Sequence, residues 1–151
     1  MQNDARTLPR APFRNESPSW ALSGVGRPVN EIFNSPELPP PRGFSHAERA
    51  GDTVYLAGQI GSGETFAEQF DDAAGNVVKA LTAAGGKPDD LVSLHVFVTD
   101  VSEYRNSAAE LGPVWRKHFG RRYPAMGLFG VTGLAVPEAK VELMGIAVIS
   151  E

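Results

Sequence analysis

Glu142 is the residue whose type and setting most suggest chemistry. It is second in the run from Val141 to Ile149, where alternation puts Met144, Ile146 and Val148 on its own face. A carboxylate on an apolar face must pair, hydrogen-bond or take up a proton. Beside a substrate it can activate a water or shuttle a proton. The competing reading places Glu142 at a sheet rim, solvated or paired with an arginine.

Other reactive side chains offer less. His46, His95 and His118 lack the spacing of a metal site, and there is no cysteine to supply a thiolate ligand or a thiol nucleophile. Gly-x-Ser-x-Gly elbows, phosphate loops and dinucleotide fingerprints are missing, so neither metal nor cofactor is expected. His95 is expected as a packed polar residue on the second side of a sheet, and His118 on a helix surface. His46 falls near the mouth of a hairpin, within reach of a ligand. Arg116, Lys117, Arg121 and Arg122 form a basic cluster, read as a solvated helix end near its negative pole.

The net charge of -4 repels polyanions on average, so no nucleic-acid partner is expected. No apolar run reaches the roughly 18 residues of a membrane span. The N-terminus also lacks the apolar core of a signal peptide. These exclusions make the cytoplasm the expected location, with no membrane partner.

The elements that must position Glu142 begin after residue 43. Residues 1–43 hold eight of the twelve prolines, which forbid a long helix or a central strand there. This Pro-rich N-terminal arm is either a flexible tail or an extended segment packed on its own or a neighbouring subunit, anchored by Phe13, Trp20, Ile32 and Phe33. Residues 44–151 form the domain. Strands are expected over 44–50 and 53–57, joined by the turn Gly51-Asp52. Thr65 and Glu68 make a capping box that opens a helix with Phe66, Phe70, Ala74, Val77, Val78 and Leu81 on one stripe. Gly75 within it suits close packing on a sheet, and Gly85-Gly86 ends it.

Alternation over 90–99 predicts a third strand. Asp100 and Glu103 signal a second helix running toward Phe119, kinked or restarted at Gly112-Pro113. Strands over 125–131 and 141–149 follow, the last apolar on both faces and so central. The order ββαβαββ predicts an α+β fold, a mixed β-sheet with two helices packed on one face. Tyr55, Phe97 and Ile146 leave the other face apolar, which calls for an oligomeric partner.

Seven short stretches, in order and at consistent spacing, resemble the Rid (YjgF-like) superfamily. They are Gly-Phe-Ser-His-Ala (43–47), Val-Tyr-Leu-Ala-Gly-Gln-Ile (54–60), Asn-Val-Val-Lys-Ala-Leu-Thr-Ala-Ala-Gly (76–85), Val-Phe-Val-Thr-Asp (96–100), His-Phe-Gly (118–120), Tyr-Pro-Ala (123–125) and Lys-Val-Glu-Leu (140–143). The resemblance implies a chorismate-mutase-like homotrimer with a central barrel and small-molecule ligands in three clefts between subunits. It also implies hydrolysis of reactive enamines and imines to a ketone and ammonia. In the family pattern an arginine after Pro-Ala clamps a substrate carboxylate, a tyrosine lies near the first strand, and a glutamate on the last strand handles water.

Here Glu142 fills the glutamate position, while Met126 stands at the arginine and Phe44 at the tyrosine. Ala57 replaces a small hydroxyl residue before Gly58. Methionine cannot make the two-pronged bond of a guanidinium to a carboxylate, and Phe44 has no hydroxyl. The expected site comprises Glu142 as catalytic residue and Phe44, His46, Ala57, Gly58, Trp115, Met126, Leu128 and Phe129 around the ligand. An apolar pocket of this kind favours a less anionic or more aromatic ligand than an amino-acid-derived imino acid. Three readings stay open: a C–N hydrolase of the deaminase type, a non-catalytic binding or regulatory trimer, and another lyase, isomerase or hydrolase reaction in the same cleft.

Overall fold

A computed structural model describes residues 30–150. Six strands form one mixed sheet: β1 (Glu31–Phe33), β2 (Ala47–Ala50), β3 (Thr53–Leu56), β4 (Leu91–Val98), β5 (Ala125–Gly130) and β6 (Val141–Val148). Their order across the sheet is β1-β2-β3-β6-β4-β5. The last strand therefore lies near the middle, as its two apolar faces predict. Only the β4–β5 pair is parallel. The helices are α1 (Phe66–Ala83), α2 (Val101–Asn106) and α3 (Ala108–Phe119).

Alternation decides the two faces. Val54, Leu56, Leu94, Val96, Val98, Val141 and Leu143 are buried with Phe66, Phe70, Ala74, Val77 and Leu81 of α1. The intervening residues Tyr55, Met144 and Val148 stay exposed on the opposite face. The capping box of α1 forms as expected, with Thr65 Oγ1 accepting from the Glu68 N–H and the Glu68 carboxylate accepting from the Thr65 N–H. Gly85 follows in the left-handed region at φ 85°, the usual way to end a helix. Gly51, at φ 63°, opens the two-residue turn between β2 and β3.

Four local features differ from the sequence reading. The sheet begins inside the Pro-rich stretch: β1 pairs with β2, Phe33 packs on the core, and Leu38 is buried. A three-residue edge strand tolerates proline neighbours that a central strand would not. Ile32 is exposed, while Phe13 and Trp20 lie outside the described residues. The strand expected from residue 44 starts at Ala47, because the Asn34 side chain rather than a strand partner takes the His46 N–H.

The second helix is two helices, broken at Ser107 and not at Gly112-Pro113. Ser107 bonds back to Glu103 through both its N–H and its hydroxyl, which closes α2. Pro113 sits on the exposed side of α3, where water can satisfy the carbonyl it leaves unbonded.

His118 is the fourth correction. It is half-buried between α1 and α3 with Nε2 on the Asp71 carboxylate, which also takes Lys117 at 2.9 Å. Gly75 makes room for it: a Cβ there would lie 3.2 Å from His118 Cε1, so this glycine serves helix–helix contact rather than sheet packing. Hydrogen bonding from His118, then Lys117, holds the Asp71 carboxyl below its ordinary pKa. A depressed carboxylate stabilises the fold above its unfolded pKa of about 3.9 and loses that contribution as pH falls through the lower folded value. Asp71→Asn should therefore be less stable than wild type at pH 7 and converge with it as pH falls through the lowered folded-state pKa. Parallel stability curves across that range would show that the clasp does not contribute.

Candidate active site

Glu142 lies on the open face of β6, opposite Phe97 of β4. Its other neighbour is the irregular continuation of β3. There Gln59 exchanges backbone hydrogen bonds with Leu143, at 2.8 and 2.9 Å, which brings Gly58 against the glutamate side chain. A Cβ on Gly58 would lie 1.8 Å from Glu142 Oε1. Glycine is required here for close approach. The carboxylate is half-buried, and among the described residues no hydrogen bond or ion pair engages it. A charge so placed is available to a water or a ligand.

Around Glu142 the open face of β4, β5 and β6 is largely apolar and aromatic. Phe97 stacks on Phe129 with centroids 5.6 Å apart, and His95 meets both rings edge-on. His95 thus packs on the second side of the sheet as expected. Tyr55 is 52% exposed, Phe129 47% and Met144 39%.

The remaining expected site residues divide between two cavities. Phe44, His46 and Gly58 line a space of about 630 Å³ with Leu38, Asn76 and Lys79. In the adjoining loop Ser62 donates to Asp72, and Glu64 and Thr65 donate to Glu68. Ala57 adjoins it, its N–H bonded to the His46 carbonyl. Trp115, Met126 and Leu128 line a second space of about 410 Å³ between α3 and β5, with Phe70, Tyr104 and Tyr123. Phe129 lies on the other face of β5 from Met126. One chain therefore does not bring the expected residues into a single pocket.

His46 touches its cavity but is held by the fold. It is 3% exposed; Nδ1 accepts from the Ser35 N–H at 3.0 Å, which leaves the proton on Nε2 to donate to the Pro39 carbonyl at 3.1 Å. It pins the turn after β1 to β2. His46→Ala leaves a buried amide unpaired and should cost about 1–3 kcal/mol of stability. Thermal or denaturant unfolding reads this directly, and an unchanged midpoint would dismiss the structural role.

Two features escaped the sequence reading. Gln69 is buried and its amide joins three backbone groups, those of Gly63, Glu138 and Lys140, fixing the loop before β6. Its polarity amid the apolar stripe of α1 was the available signal. Tyr123 stacks on Trp115 with centroids 5.1 Å apart and planes 13° apart. The Trp115 N–H bonds the Arg122 carbonyl. The basic cluster is partly engaged, Lys117 with Asp71 and Arg122 with the Asp89 carbonyl. Among the described residues no group of acidic and histidine side chains could hold a metal, and no helix is long and apolar enough to cross a membrane.

Comparison with known proteins identifies the family and the fold. The family model described as endoribonuclease L-PSP matches residues 35–149. A 2-iminobutanoate/2-iminopropanoate deaminase of Dermatophagoides farinae is 30% identical over 127 residues, 78% of this chain and 95% of that protein. A Mycobacterium tuberculosis member of the YjgF/YER057c/UK114 family has a similar structure. The TM-score is 0.68 and the identity 34%, covering 80% of this chain and all of the other. RidA from a Psychrobacter species gives a TM-score of 0.70 at 28% identity, covering 79% and 99%.

Proposed function

The chain belongs to the endoribonuclease L-PSP family, the Rid or YjgF-like superfamily, and from that premise we propose that it hydrolyses a reactive imine or enamine. The substrate is not a simple amino-acid-derived imino acid. The observation that carries this is the Glu142 carboxylate, half-buried on an apolar face, without a hydrogen-bond or ion-pair partner among the described residues and pressed against Gly58. Glu142 takes a proton from water as the oxygen adds to the C=N carbon and passes that proton to the nitrogen, which frees the carboxylate again. The carbinolamine then collapses, its hydroxyl proton passing through Glu142 to nitrogen, and ammonia leaves a carbonyl product. Atoms balance as imine plus water giving ketone or aldehyde plus ammonia.

The site is completed by a homotrimer. An open face carrying Tyr55, Met144 and Phe129 is the kind of surface that a soluble chain covers by association. In such an assembly a neighbouring subunit covers the open face around Glu142 and supplies the missing wall of the site. Mass in solution should be three times the 16.2 kDa of the chain. A stable monomer would remove the shared cleft. The net charge of -4 and the apolar open face favour a small molecule over RNA.

The test is ammonia release from freshly generated imines and enamines, with and without a carboxylate. Release that favours uncharged members supports the reading. A binding or regulatory trimer is the second reading, favoured by Met126 and Phe44 where the family pattern has arginine and tyrosine. Tight binding of such compounds without product would select it.

A further inference from the structure

We propose that the cavity between α3 and β5 is a specificity pocket for an uncharged, flat aromatic group. For the reaction this rests on the imine-hydrolase reading; for the binding preference it stands on the cavity alone. Its volume of about 410 Å³ suits a small molecule. None of the side chains lining it carries a formal charge. A cation does stand at the rim: Arg116 is exposed on α3, and a Cβ on Gly112 would lie 3.7 Å from its guanidinium.

The aromatic character is built in. Trp115 is buried, and its ring is fixed by the 3.1 Å bond to the Arg122 carbonyl. Tyr123 lies flat on it yet stays 63% exposed, so the ring face turned away from Trp115 is open to a ligand. Met126, 44% exposed on the same side of β5 as Leu128, offers a polarizable thioether to a ring. An aromatic ligand gains a stacking partner here. A carboxylate would leave water without a charged partner in exchange.

Phenylacetone and phenylpyruvate make the test pair, since they differ by a methyl group against a carboxylate. Titration calorimetry on the full chain should show phenylacetone binding about tenfold or more tighter, the scale of one unpaired charge. Met126→Arg, at an exposed edge position, should reverse that order. Tyr123→Ala should weaken phenylacetone about two- to tenfold. A preference of wild type for phenylpyruvate would assign the clamp to Arg116 and overturn the inference. No preference, no binding of either ketone, or an unchanged ratio in Met126→Arg would overturn it equally. Preferred binding of phenylacetone without hydrolysis of any imine would keep the pocket and dismiss the hydrolase. Glu142-dependent hydrolysis without that preference would do the opposite.

Discussion

Glu142→Gln should lower ammonia release by about a hundredfold to ten-thousandfold, the usual contribution of a positioned acid–base group. The substitution keeps the shape of the side chain, so the contact with Gly58 survives. Among the described residues no hydrogen bond or ion pair of Glu142 is lost, so the unfolding midpoint should move little. What disappears is the capacity to take a proton from water. Affinity for an uncharged ketone should persist, because binding in the cavity between α3 and β5 does not involve this residue. Steady-state rates and unfolding curves on the same preparation separate chemistry from folding. An unchanged rate would remove Glu142 from the mechanism, even if ammonia is still released.

Much of this arrangement was legible in the sequence, where the controlling interactions are local. The capping box and apolar stripe of α1 set that helix. The doubly apolar 141–149 run put its strand near the sheet's centre. Glu142 emerged because a charge interrupts an alternating apolar face. Local pattern failed where a distant partner decides. Asn34 ends the β2 ladder at His46, and Asp71 draws His118 from the surface into a helix clasp.

Within one chain Met126 and Phe129 lie apart for a different reason, since residues three apart on a strand point to opposite faces. Strand parity alone separates them, and the register agrees: Met126 pairs with Leu94 on the helix side, Phe129 with Phe97 on the open side. No local signal brings Gly58 to Glu142. That contact arises because β3 continues irregularly past Leu56 and bridges to Leu143.

Gly58→Ala tests that contact and should be nearly as damaging as loss of the carboxylate. The added methyl would stand 1.8 Å from Oε1 and 2.8 Å from the carboxyl carbon, distances that atoms cannot share. The obstructing group is the end of a flexible side chain, so the strand can stay in place while Glu142 swings away. Gly58 has no positive φ, so alanine suffers no backbone strain there. Stability should fall modestly. Activity should fall about a hundredfold, the effect of displacing a catalytic group by roughly an ångström. Gly61→Ala provides the contrast, since its Cβ would meet the Gln69 carbonyl at 2.2 Å and the Ala73 N–H at 2.5 Å. That clash is with the α1 backbone and should unfold or strongly destabilise the chain. A Gly58→Ala protein that folds and works at the wild-type rate would mean that Glu142 need not stand where it does. A folded but inactive one, with phenylacetone affinity retained, would place the defect at the carboxylate.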